Sequence, residues 1–125
     1  FNGAVRAGDH LWARGLPDYS QGYDERRDPA KDLAAATIRA QQEDKQVLLL
    51  VGGEWCSWCQ EMNRFLDREP DLAGQLNRTF VVVKVNVSEQ NKNESFLKDY
   101  PEYSHLQGED RLAASINFIR IEEDK

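Results

Sequence analysis

Two short apolar runs constrain this chain more than any other feature. Val47, Leu48, Leu49, Leu50 and Val51 make one; Phe80, Val81, Val82, Val83, Val85 and Val87 make the other. The first is too short for a helix and is continuously apolar, as in a strand buried on both faces of a parallel sheet. The second reads as a strand with Lys84 and Asn86 turned out to solvent. Helical patterns surround both. Asp28-Pro29-Ala30-Lys31 is a helix start, with Asp28 as N-cap and proline in the first turn. A helix follows over residues 30–45, with Leu33, Ala34, Thr37, Ile38 and Gln41 at helical spacing. Residues 57–68 read as a second helix, with Met62, Phe65 and Leu66 on one face. Glu69-Pro70-Asp71 stops it, and Asp71 caps a short helix to about Asn77. A short helix over 93–100 ends at Pro101, and an amphipathic helix runs from 110 to about 122, with Leu112, Ala113, Ile116 and Ile119 at helical spacing. The alternation predicts an α/β fold: a central sheet flanked by helices.

Residues 1–29 are different. Gly3, Gly8, Gly15, Pro17, Gly22 and Pro29 interrupt them, and no period is clean. They read as an irregular arm laid over the domain by Leu11, Trp12, Leu16, Tyr19 and Tyr23. Stretches this long without regular structure are usually functional or disordered. The expected organisation is an arm over 1–29 and one domain over 30–125.

The bulk properties exclude some functions. A net charge of −6 provides no electrostatic footprint for nucleic acid or anionic lipid. No apolar run approaches the ~20 residues that span a bilayer, so membrane insertion is not expected. The sequence starts at Phe1 rather than Met, and no signal peptide is visible. A cleaved export signal is one explanation and a cloned fragment the other. The expected location is periplasmic or otherwise exported, with a cytoplasmic one as the alternative.

The chemistry sits between the strands. Cys56 and Cys59 are the only two cysteines, three positions apart, after the first strand and at the start of a helix. The C-terminal end of a strand is where α/β proteins place their sites. A helix N-terminus stabilises a thiolate through its unpaired N–H groups and dipole. Cys56 falls there and is the candidate nucleophile, expected to be exposed. Cys59, one turn in, is the candidate buried resolving thiol. Three readings stay open: a redox-active dithiol, a static disulfide or pair of inert buried cysteines, and a metal site. A static staple closing so short a loop would gain little chain entropy. A closed zinc site wants four ligands, and only His10 and His105 could join the cysteines, both far off in sequence. Each histidine alone reads as an ordinary surface or core residue. Trp55 and Trp58 flank the nucleophile and are candidates for contacting a substrate chain. Trp55 is expected to pack on the core and Trp58 to be exposed. Glu54 reads as a solvated charge, with a nearby proton acceptor as the alternative.

These residues resemble the thioredoxin-like superfamily, in its bacterial thioredoxin-related, thiol:disulfide interchange branch. Val-Leu-Leu-Leu-Val-Gly-Gly-Glu-Trp-Cys-Ser-Trp-Cys over 47–59 is similar to the thioredoxin strand and its Trp-Cys-x-x-Cys site. Val82 to Asn91 resembles the next strand and turn, and the likeness covers residues 28–103. It implies a thioredoxin-like three-layer fold, with Cys56 attacking and Cys59 resolving. It also implies protein thiols and disulfides as substrates, an unidentified redox partner and no cofactor. Three departures stand out. Ser57-Trp58 replaces the Gly-Pro of thioredoxin, so its potential does not transfer. Leu50 occupies the place of the family's buried acid and cannot relay a proton. Ser104 stands where the family has a cis-proline opposite the dithiol, which makes it a further candidate substrate contact. The space after it is too short for two strands of ~5 residues plus a turn, so the C-terminal hairpin is expected to be shortened, or part of it to be left out of this sequence. The leading function is thiol–disulfide oxidoreduction. A non-catalytic binding module is the alternative, and copper capture by Cys56, Cys59 and one histidine is a third.

Overall fold

The computed structural model describes residues 10–100 and 117–121. Three strands form the described sheet in the order β2-β1-β3. The central β1 (Gln46–Gly52) pairs in parallel with β2 (Phe80–Asn86), with Leu48 opposite Val82 and Leu50 opposite Lys84. On its other side β1 pairs antiparallel with β3 (Asn117–Ile121), Leu49 opposite Ile119. The helices are α1 (Asp18–Gln21), α2 (Pro29–Glu43), α3 (Ser57–Arg68), α4 (Pro70–Thr79) and α5 (Glu94–Leu97), with a 3-10 turn at Leu11–Ala13.

Side chains of a strand alternate between faces, so β1 builds two cores. Val47, Leu49 and Val51 join Val81, Val83, Val85 and Ile119 on one face, under Ala36 and Ala40 of α2 and Leu97 of α5. Leu48 and Leu50 join Val82 on the other, against Leu66 of α3, Ala73 of α4, and Trp12 and Ala13 of the arm. Helices thus cover both faces, as in the three-layer α/β arrangement expected. The arm is fastened at several points. Tyr19 packs into the first core, Ser20 Oγ donates to the Val82 carbonyl, and Arg27 makes a two-pronged bond to the buried Asp32 of α2 at 2.8 and 2.9 Å. Asp28 caps α2 as expected, accepting from the backbone N–H groups of Ala30 and Lys31.

Several sequence expectations are corrected. The inward face of α2 is Leu33, Ala36 and Ala40, whereas Ala34 and Gln41 are exposed and Ile38 is 58% exposed. Alanines, having only a Cβ, let the helix lie close to the sheet; hydrophobic period alone did not distinguish the two stripes. Phe65 points outward while Leu66 alone of its group is fully buried. Asp71 lies inside the first turn of α4, whose N-cap is Glu69. Lys84 and Asn86 are buried, because helices and the arm close both faces of the sheet and no face of β2 is open to water. The described part of the expected C-terminal amphipathic helix is a strand instead: residues 117–121 form β3. Ile119 is buried, Arg120 exposed and Ile121 half-buried, an alternation that the Ile116–Ile119 spacing concealed. Pairing there gives β1 a second neighbour for its backbone N–H and C=O groups.

Candidate active site

The end of β1 delivers the backbone to the dithiol through two glycines. The N–H of Val87 donates to the Gly52 carbonyl at 2.7 Å, and the N–H of Cys56 donates to the Gly53 carbonyl at 3.1 Å. Both glycines are required by close approach. A Cβ on Gly52 would overlap Sγ of Cys59 and lie 3.2 Å from the Tyr23 hydroxyl; one on Gly53 would overlap the Trp55 indole. α3 follows, with Cys56 as its N-cap. Its sulfur accepts from the Cys59 N–H at 3.1 Å. Cys56 and Cys59 are joined as a disulfide, their Cα atoms 5.2 Å apart. The sulfur nearest the helix terminus therefore sits where unpaired N–H groups favour negative charge.

The expectation of an exposed Cys56 is corrected. Both cysteines are 2% exposed, and they cluster with Tyr23 of the arm. Tyr23 closes over the disulfide because its backbone N–H is held by the Glu54 carboxylate at 3.0 Å. Glu54 also accepts from Gln60 Nε2 at 2.9 Å, so it is a clasp between arm and site rather than a merely solvated charge. The exposed surface beside the disulfide is aromatic. Trp58 is 63% exposed, as expected. Trp55 lies between the two expectations: its indole N–H donates to the Val87 carbonyl, yet the residue is 44% exposed.

Under the disulfide lies a polar cluster that sequence reasoning missed. Lys84 Nζ donates to Asn63 Oδ1 at 3.1 Å and to the Gln21 carbonyl at 3.2 Å. It lies 5.2 Å from the centroid of the Trp12 ring and 5.5 Å from that of Tyr23. Asn63 also accepts from the Trp12 indole N–H at 2.9 Å. Trp12 is fixed further by Asp67, whose carboxylate accepts from its backbone N–H and pairs with His10, each at 2.9 Å. Burial pushes Lys84 down from 10.5 to about 8, against the opposing pull of Glu54 and Asp67. Lys84 stands in register beside Leu50, so the buried titratable group next to that position is a base on β2, not an acid on β1. One signal could have found it: a lysine at an alternating position of a strand whose sheet is covered on both faces has no water to turn to.

Tyr23, assigned only to arm packing by the sequence, is the other missed residue. Burial, helped by the nearby Glu54, raises its phenol well above the usual tyrosine range. Among the described residues its hydroxyl is the one buried side-chain oxygen or nitrogen without a hydrogen-bond partner. Ser104 and His105 lie outside the described residues. No three His, Cys, Asp or Glu side chains converge as a metal-ligand set among the described residues, and no described helix is long and apolar enough to cross a membrane.

Comparison with known proteins agrees with this geometry. No curated protein matches the chain. A solved structure that is similar to it is a disulphide isomerase from Xylella fastidiosa Temecula1, with a TM-score of 0.58 and 26% identity. The alignment covers 74% of this chain and 66% of the other, so the chain spans a little under two thirds of that relative's length. The family model Thioredox_DsbH, described as a protein of unknown function, DUF255, matches residues 27–110. That match takes in α2, β1, the dithiol, α3, α4, β2 and α5. With its C-x-x-C disulfide at the N-terminus of α3, this chain belongs to that thioredoxin-like family.

Proposed function

We propose that this protein is a thiol–disulfide oxidoreductase that exchanges disulfides with protein substrates through Cys56 and Cys59. One observation carries the reading: the only two cysteines of the chain are paired as a disulfide at a helix N-terminus, beside exposed tryptophans. The likeness to a disulphide isomerase, the Xylella structure, supports the same class of chemistry. In the reducing direction Cys56 thiolate attacks a substrate disulfide and forms a mixed disulfide. Cys59 then attacks Cys56, and the substrate leaves as a dithiol. Oxidation of a substrate dithiol is the same path reversed. Trp58 and Trp55 give the substrate chain an apolar landing surface next to the reacting sulfurs.

Replacing Cys59 with Ala tests this, because it removes the resolving step. Mixed disulfides on Cys56 are expected to accumulate and to release on reduction. Titration in defined glutathione buffers gives the potential. A value near the ~−270 mV of thioredoxin would make the protein a reductase, and one near ~−120 mV a disulfide donor. Absence of any reversible couple, together with partner binding that survives replacement of both cysteines by serine, would replace this reading with that of a binding module.

A further inference from the structure

We propose that the Tyr23 hydroxyl is the hydrogen-bond donor for the Cys59 thiolate released when the disulfide opens. The inference rests on the oxidoreductase reading above and adds a residue from the arm to its chemistry. Tyr23 Oη and Cys59 Sγ crowd the same point above the Cα of Gly52, which only a glycine leaves open. Tyr23, Cys56 and Cys59 form one buried cluster. A buried phenol without a partner costs free energy in the state that leaves it so, and a state that pairs it is favoured by that amount. Among the described residues the disulfide form gives the hydroxyl no partner, and the charged sulfur of the open form would be a far better acceptor.

Two of the described donors near the disulfide are committed elsewhere. The Cys59 N–H serves Cys56 Sγ. Lys84 Nζ serves Gln21 and Asn63. Tyr23 itself is held in place by Glu54 through its backbone N–H and by the Lys84 ammonium near its ring. Because burial keeps the phenol protonated, it is a donor across the physiological pH range.

The step balances without a further reagent. A substrate thiolate attacks Cys56 Sγ and a new S–S bond forms between them. The Cys56–Cys59 bond breaks, and its electron pair leaves on Cys59 Sγ. Tyr23 donates a hydrogen bond to that thiolate, and no proton is transferred. In the opposite direction the same bond holds Cys59 as thiolate until it attacks Cys56 and expels the substrate sulfur.

Tyr23→Phe keeps the ring and removes the donor. Its oxidised form is expected to unfold at the same temperature as wild type or higher, since an unpaired hydroxyl is lost. The equilibrium with glutathione is expected to move toward the disulfide by about tenfold, equivalent to about 30 mV lower potential. In a Cys56→Ser background, the midpoint for alkylation of Cys59 is expected to rise by about one pH unit when Tyr23 is also replaced. An equilibrium constant and an alkylation midpoint both unchanged by Tyr23→Phe would overturn the tyrosine's role while leaving the oxidoreductase reading intact. A wild-type protein with no reversible couple would sink that reading, and this inference with it.

Discussion

Lys84→Met is the most informative test of the polar cluster beneath the disulfide. Lys84 is almost fully buried, yet its ammonium keeps two hydrogen bonds and two aromatic neighbours. Burial still wins, taking the group from 10.5 to about 8. That gap corresponds to roughly 3 kcal/mol at 1.36 kcal/mol per pH unit. The sign follows from proton counting. Below about 8 both the folded and unfolded chains carry the proton, so the folded state bears the whole cost. Between about 8 and 10.5 the unfolded chain holds a proton that the folded one has lost, so stability rises with pH through this window. Replacement with Met removes the cost but leaves the Gln21 carbonyl without its lysine donor and forfeits the contacts with Trp12 and Tyr23. These losses are on the order of 1–2 kcal/mol. Lys84→Met is therefore expected to stabilise the oxidised protein by about 1–2 kcal/mol at pH 7. That advantage should shrink by about 2–3 kcal/mol by pH 10 and reverse sign. Urea unfolding of both proteins at pH 7 and pH 10 measures it, and tyrosines and surface charges common to the two cancel in the difference. A difference constant within about 0.5 kcal/mol across that range would refute the argument, because it would mean that Lys84 titrates like an exposed lysine.

Three further outcomes are expected. Asp28→Ala removes the side chain that caps α2 and should cost about 1 kcal/mol in urea unfolding; an unchanged midpoint would deny the cap any role. Gly52→Ala should destabilise the oxidised protein by about 1–3 kcal/mol, because the new Cβ overlaps Cys59 Sγ. The loss should be smaller after reduction, when Cys59 can rotate away, and equal melting shifts in both redox states would contradict this. Trp58→Ala should change stability by less than about 0.5 kcal/mol, since the indole is largely exposed. It should slow exchange with protein disulfides several-fold and spare exchange with glutathione; equal slowing of both would remove Trp58 from the substrate surface.

Much of the frame was legible from local pattern. Continuous apolarity at 47–51 and 80–83 marked β1 and β2, and Asp28-Pro29 marked the start of α2. The Gly-Gly break and the cysteine spacing placed a dithiol at a helix N-terminus, where the structure has it. Less was legible about faces. Leu33-Ala34-Thr37-Ile38 and Leu33-Ala36-Ala40 are both helical stripes, and only the sheet beneath α2 chose the second. At residues 117–121 a spacing of three fitted a helix as well as a strand, and the choice lay with β1, distant in sequence.

By itself, then, the sequence determined an α/β chain whose two cysteines sit after a buried strand and begin a helix. Strand length, helix caps and glycine breaks are local, and they act on the few residues that carry them. Tertiary structure decided which polar groups lost their water. Lys84 became buried because the arm, reaching from residues 12 and 23 to Asn63 and Glu54, closed over it, and Tyr23 because the same contact set it against the dithiol. Desolvation depends on what covers a side chain, and here the cover comes from segments tens of residues away in the chain.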